Sequence, residues 1–159
     1  KAAQFFDLCN DHGINMISLV DTPGFMVGPD SEEEGAVRRM SKLFESSSRF
    51  KNFLIAIFIR KAYGLGAQAI VGGSLHRPTF SCAWPSGEFG GMGIEGAVKL
   101  GYRKELEAID DVEERNNLFN KLVEKMYEAG QAIQAATFLE IDAVIDPAKS
   151  RETILKVIK

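Results

Sequence analysis

The feature that most constrains this chain is a buried strand that runs straight into two glycines and a small-residue helix. Phe53 to Ile59 reads FLIAIFI, an apolar run of strand length, and Arg60-Lys61-Ala62-Tyr63-Gly64-Leu65-Gly66-Ala67 follows it at once. A strand that turns sharply into a helix leaves the first helical N–H groups without partners, at the positive end of the helix dipole. Glycines at such a corner let a ligand come close to the backbone. The corner can therefore hold a phosphate, a carboxylate or a developing oxyanion.

Around this corner the pattern alternates between strands and helices. Residues 1–12 place Phe5, Phe6, Leu8 and Cys9 on one helical stripe, with His12-Gly13 as the stop. Ile14 to Val20 reads as a strand closed by Asp21-Thr22-Pro23-Gly24. A helix is predicted from Glu33 to Ser47 with Val37, Met40, Leu43 and Phe44 inward, and Ser31 with Glu34 is a capping-box candidate. After the corner helix, which ends near Val71, Thr79 to Trp84 is a short strand and Ile94 begins another small-residue helix. Residues 112–136 carry apolar positions at three- and four-residue steps, which predicts one long helix. Ile141 to Pro147 is a short extended segment, and a last helix over 148–158 turns Ile154, Leu155 and Ile158 inward. Such alternation predicts an α/β architecture.

Composition removes several classes of function. The 159 residues make one domain or part of one, 45% hydrophobic and 26% charged, as in ordinary water-soluble domains. A net charge of −3 with no basic run gives no footprint for nucleic acid. No apolar run reaches membrane-spanning length, so no membrane partner is expected. Cys9 and Cys82 match no disulfide or metal-ligand spacing; reduced thiols and a cytoplasm-like compartment are the expectation. The opening Lys1-Ala2-Ala3-Gln4 lacks a leader pattern and reads as the middle of a helix in a piece of a longer chain.

Each motif has a plain structural alternative. Val20-Asp21-Thr22-Pro23-Gly24 has the look of a GTPase switch, but the chain has no G-x-x-x-x-G-K-[ST] phosphate loop, and Pro23-Gly24 reads equally as a simple turn. Gly90-Gly91-Met92-Gly93 lacks the dinucleotide spacing, and Gly96-Ala97 fits close helix packing equally well. His12 and His76 have no Ser or Cys partner at a recognisable spacing. The acidic clusters Glu32–Glu34, Asp110-Asp111 and Glu113-Glu114 sit where helices begin. With no evident side-chain acid, base or nucleophile, the residues favour chemistry carried by backbone N–H groups and a cofactor.

Four segments then point to a family. Val20-Asp21-Thr22-Pro23-Gly24-Phe25, Arg60-Lys61-Ala62-Tyr63-Gly64, Ala83-Trp84-Pro85-Ser86-Gly87-Glu88 and Ile141-Asp142-Ala143-Val144-Ile145-Asp146-Pro147 stand in order and at approximate family spacing. In these the chain resembles the carboxyltransferase (β) subunits of biotin-dependent acyl-CoA carboxylases, of the propionyl-CoA and methylcrotonyl-CoA carboxylase type. The resemblance covers essentially all of residues 1–159 and implies a crotonase (ClpP-like) ββα-superhelix. It identifies the chain as part of the C-terminal carboxyltransferase domain, without the N-terminal domain.

In that family a biotin carried on a separate protein, charged by a biotin carboxylase, gives up CO2 to the α carbon of an acyl-CoA. Two backbone oxyanion holes stabilise the enolates involved. The resemblance places the biotin-facing hole on the N–H groups of Leu65 and Gly66, with Gly66 and Ala67 as the alternative register. Leu65 is a departure, because many members have glycine there. Pro23, Gly24 and Phe25 match a loop near the biotin pocket, beside Tyr63 and Gly64 of the corner. Gln68 matches a position that helps set acyl-chain preference. The resemblance further implies a homo-oligomer with its active site between subunits, biotin and acyl-CoA as the small molecules, no metal in this subunit, and a cytoplasmic or, in a eukaryote, mitochondrial-matrix location. A decarboxylase subunit running the same half-reaction backwards, another crotonase-fold acyl-CoA enzyme, and a non-catalytic interaction fragment are the alternatives. By itself, the fragment is expected to be inactive.

Overall fold

The longest strand in the computed structural model, which describes residues 1–158, grows out of the apolar run that opens the sequence argument. In chain order the elements are α1 (Ala2–Asp11), β1 (Met16–Thr22), α2 (Pro29–Glu33), α3 (Ala36–Ser48), β2 (Leu54–Tyr63) and α4 (Gly64–Ile70). There follow β3 (Phe80–Ala83), β4 (Glu88–Gly90), α5 (Ile94–Gly101), α6 (Arg103–Glu107), α7 (Val112–Ala129) and α8 (Ala132–Thr137). β5 (Ala143–Val144), a 3-10 turn over Pro147–Lys149 and α9 (Ser150–Val157) complete the described chain. Among the described residues no helix is long and apolar enough to cross a membrane.

All strand pairs are parallel, in the order β1-β2-β3-β5, and β4 also pairs with β2. β2 is the axis of the sheet. Its first half pairs with β3 from Ile55↔Phe80 to Phe58↔Ala83, and its last turn of chain pairs with β4 from Lys61↔Glu88 to Tyr63↔Gly90. Parallel strands covered on both faces read as continuous apolar runs, which is why FLIAIFI shows no alternation. On one face Val20, Ala56, Phe58 and Ala83 pack with Ala67, Val71, Ala132 and Ala135. On the other, Ile55, Ile57 and Cys82 are covered by Trp84, Ile154 and Val157. Burial, with a smaller push from Asp142, raises the Cys82 thiol to about 11, so it is an unreactive core group. α1 adds Phe6 and Cys9 to Phe50 and Leu54, with the Phe6 and Phe50 rings edge-to-face at 5.6 Å.

Several boundaries differ from the sequence expectation, each for a local reason. The helix expected over 33–47 starts at Ala36, after Gly35 takes φ 74°, and a separate short helix, α2, covers Pro29–Glu33 before it. Ser31 does not cap it; its hydroxyl donates to the Met26 carbonyl. The buried residues of α3 are Ala36, Ser46 and Ser47, while Val37 is exposed. On α1 only Phe6 and Cys9 turn inward, and Phe5 and Leu8 are exposed. The long helix stops at Gly130, and Leu155 and Ile158 of the last segment stay exposed although Ile154 packs inward. The N-terminal reading of the acidic pair is correct: Asp111 accepts from the Glu114 N–H at 2.8 Å.

One ion pair fixes the approach to the corner. The β1–β2 register slips between Val20↔Phe58 and Thr22↔Ala62, leaving extra residues on β2. Asp21 closes this bulge by accepting from the Lys61 N–H at 3.2 Å and from the Arg60 guanidinium at 3.1–3.3 Å. Those donors, Arg60 first, hold the Asp21 carboxyl below its ordinary value of 3.8. A depressed carboxyl pKa adds stability that is present above the unfolded value and is lost as pH falls through the folded one. Asp21→Asn should therefore lower the unfolding midpoint at pH 7, and the gap should close in acid below the ordinary carboxylate range. Denaturant unfolding of both proteins across pH 2–7 checks this.

Candidate functional site

The end of β2 is built from backbone meeting backbone. Tyr63 is extended at φ −105° and ψ 132°, and Gly64 then takes φ 58°, a left-handed conformation that favours glycine, to start α4. A Cβ on Gly64 would also lie 2.7 Å from the Gly91 carbonyl oxygen. On Gly66 it would lie 2.9 Å from both Cα and C of Gly24 and 3.1 Å from the Phe25 nitrogen. Gly24, at φ 102°, presses back on the corner, where an added Cβ would meet the Tyr63 oxygen at 3.1 Å. The glycine at 66 thus serves a chain crossing, whereas the sequence argument assigned its freedom to an approaching ligand.

Two cavities, each of about 380 Å³, lie against this corner. The first is lined by Pro23, Gly24, Phe25, Val27, Met40, Tyr63, Gly64, Leu65 and Gly91–Gly93. It gathers every residue assigned by resemblance to the cofactor loop, together with Leu65. The second is lined by Ala62, Gly64, Ala67, Gln68, Leu75, Phe89–Gly91, Ala129, Ala135, Phe138 and Glu140. Gly64 and Gly91 line both. Gly66 lines neither, being buried against Gly24, while the Leu65 side chain is 61% exposed. Among the described residues, no turn, loop or cap carbonyl accepts from the Leu65, Gly66 or Ala67 N–H.

The first cavity is nearly free of ionisable groups. Its one titratable side chain, Tyr63, is buried and donates from its hydroxyl to Glu88 Oε2 at 2.7 Å. Burial first, and the Glu88 carboxylate second, push the phenol far above its ordinary range, so it stays a neutral donor. Added Cβ atoms on Gly91 and Gly93 would meet nothing within 4 Å, so glycine there keeps the cavity wall open. An uncharged fused ring with a carbonyl, such as the bicycle of biotin, fits walls of this chemistry. At the second cavity Glu140 pairs with His76 at 3.3 Å, which gives that histidine a structural partner. No cluster of three or more His, Cys, Asp or Glu side chains is placed to hold a metal among the described residues.

The sequence argument missed two partners of this site. Glu88 was visible only as the last residue of a motif, and Tyr127, which donates to Glu95 Oε1 at 3.1 Å, carried no signal at all. The spacing between Tyr63 and Glu88 is set by the β2–β4 register, which needs the fold to be known.

Residues 1–159 match the family model described as the carboxyl transferase domain. The chain is 35% identical over 156 residues to the propionyl-CoA carboxylase carboxyltransferase subunit of Haloferax mediterranei, covering 98% of this chain and 30% of that protein. It is 34% identical to the methylmalonyl-CoA carboxyltransferase 12S subunit of Propionibacterium freudenreichii subsp. shermanii, covering all of this chain and 30% of that one. The chain thus spans under a third of the length of these relatives. A solved single-chain, multi-domain long-chain acyl-CoA carboxylase superposes with a TM-score of 0.86 at 51% identity, over 98% of this chain and 15% of that one. The parallel α/β sheet with these neighbours is of the crotonase type, as the resemblance implied. By the match along its whole length and the fold that carries it, the chain belongs to the carboxyl transferase domain family.

Proposed function

We propose that this chain is part of the C-terminal domain of a biotin-dependent acyl-CoA carboxyltransferase, which moves CO2 from carboxybiotin to the α carbon of an acyl-CoA. The observation that carries the reading is the pair of cavities that meet at one corner and share Gly64 and Gly91. Group transfer requires that the reacting atoms of two ligands meet, and two cavities that adjoin at one corner can bring them together there. The relatives are named for propionyl-CoA and methylmalonyl-CoA, and a 12S structure was solved with methylmalonyl-coenzyme A bound.

Pro23, Gly24, Phe25, Tyr63 and Gly64 hold the biotin ring in the first cavity. The chemistry that a carboxylated biotin would supply there is release of CO2 and acceptance of the α-proton that the acyl-CoA gives up. The N–H groups of Leu65, which lines this cavity, and of Gly66 behind it would donate to the ureido oxygen of a biotin held there, with Gly66 and Ala67 the neighbouring register. Each such donor contributes on the order of 3 kcal/mol of transition-state stabilisation. Gln68 lines the second cavity and contacts the acyl-CoA. The N-terminal domain of another subunit completes the acyl-CoA side, and a biotin carrier protein charged by biotin carboxylase delivers the cofactor. The reaction takes place in the cytoplasm, or in the mitochondrial matrix of a eukaryote.

The full-length protein, given carboxybiotin and an acyl-CoA, should form the carboxylated thioester, detected by mass spectrometry. Residues 1–159 alone should give no turnover. A reaction that runs only towards decarboxylation, depends on sodium and needs a membrane partner would replace this reading with the decarboxylase one.

The donor assignment has its own test in the same enzyme. Leu65→Ala keeps both N–H groups and should stay within a few-fold of the parent, whereas Gly66→Pro should lose about 100-fold or more in kcat. Gly66→Ala retains the N–H but presses the same Cβ on Gly24, so it isolates the packing cost. Equal losses in Gly66→Ala and Gly66→Pro, with both proteins folded, would remove Gly66 from the donor pair.

A further inference from the structure

We propose that Glu88 and Glu95 are positioning residues, which accept from Tyr63 and Tyr127 to fix both ends of the Gly90–Gly93 wall and so set the separation of the two cavities. The role of this wall in transfer rests on the carboxyltransferase reading above; its anchoring does not. Gly90 and Gly91 line the second cavity, and Gly91, Met92 and Gly93 line the first. A segment this rich in glycine has wide backbone freedom. No turn or loop backbone hydrogen bond anchors Gly91 or Met92 among the described residues.

What lies on either side is fixed. β4 is paired with β2, and the Phe89 N–H donates to the Gly130 carbonyl at 2.7 Å. The side chain of Glu88, just before the wall, accepts from the buried Tyr63 hydroxyl at 2.7 Å. Just after the wall, Glu95 in the first turn of α5 accepts from Tyr127 of α7 at 3.1 Å. Hydrogen bonds to an ionised acceptor are among the stronger ones in proteins. Both phenols are shifted upward and the Glu95 carboxyl downward, so donor and acceptor keep these roles at neutral pH. Tyr63 also lines the first cavity, so one hydrogen bond ties the corner to the glycine wall.

The test uses the full-length protein with Tyr63→Phe, Glu88→Ala, their double mutant, and Glu88→Gln, which keeps an acceptor oxygen. Amide hydrogen exchange over 88–90, where the Phe89 N–H donates to the Gly130 carbonyl, should speed up about tenfold in Tyr63→Phe and in Glu88→Ala, the scale of one hydrogen bond to a charged group. Exchange over 54–59 should stay at the parent rate. kcat should fall by a similar factor while KM for the acyl-CoA stays within about twofold, since its binding contacts are intact. The double mutant should be no worse than either single change, and Glu88→Gln should recover most of the loss. Tyr127→Phe and Glu95→Ala should do the same at Ala97, whose N–H donates to the Gly93 carbonyl. Unchanged exchange over 88–90 and at Ala97, or an equal rise over 54–59, would overturn the proposal. Because exchange needs no turnover, it decides the matter even if the parent protein transfers no carboxyl group.

Discussion

Direct contact of three backbone segments, at the end of one strand, is the constraint on which the site depends. The corner after Tyr63, the turn at Gly24 and the loop at Gly91 approach to within the space of a single Cβ. The atoms that an added methyl would meet at Gly64, Gly66 and Gly24 are all main-chain atoms, which cannot swing aside as a flexible side chain would. Close packing makes such overlaps costly, because neighbouring backbone must shift as a unit. The two cavities are what remains on either side of that contact, so their sharing of Gly64 and Gly91 follows from the packing.

The sheet brings the segments together. β2 is long enough to pair with β1 and β3 near its start and with β4 near its end, all in parallel. The chain steps from β3 to β4 along the same edge of β2, and Ser86 fills the step by donating to the Ile59 carbonyl at 2.6 Å. The bulge closed by Asp21 and Arg60 takes up the extra residues of β2 on the other edge. Without that slip in register, Pro23-Gly24 would leave β1 too early to reach Gly66. The ends of parallel strands are where open α/β sheets gather ligands, and here the end is shaped by glycine.

What was legible in the sequence is what depends on one segment at a time. The FLIAIFI strand, the turn into a small-residue helix and the start of a helix at the acidic pair Asp110-Asp111 all follow from local composition, and all are present. The three-residue strand Glu88–Gly90 was not legible, because it has no apolar run of its own and exists only by pairing with β2. Helical periodicity marked Phe5 and Leu8 as inward, yet the pattern alone does not say which neighbours are there to cover a stripe. Gly130 broke a helix that the apolar spacing had joined, and Gly35 delayed the start of another to Ala36. At the site itself the corner was visible, but its reason was misassigned at Gly66, since a chain crossing between residues 24 and 66 leaves no mark in local sequence.

That correction bears on how the corner can vary. Gly66 is packed against Gly24, so the lack of a side chain there is required by the fold whatever its N–H does. Leu65 is the opposite case: its side chain is 61% exposed and lines the first cavity, while its N–H belongs to the backbone of α4. A larger side chain at 65 can narrow the cavity without moving either N–H group, because nothing in the chain crossing involves its Cβ. The corner therefore separates two properties that would otherwise compete. Backbone geometry is set at positions 24, 64 and 66, and the shape of the cavity is left to position 65 and to Val27, Met40 and Met92. On this account the leucine at position 65 shapes the cavity and leaves the backbone of the corner unchanged.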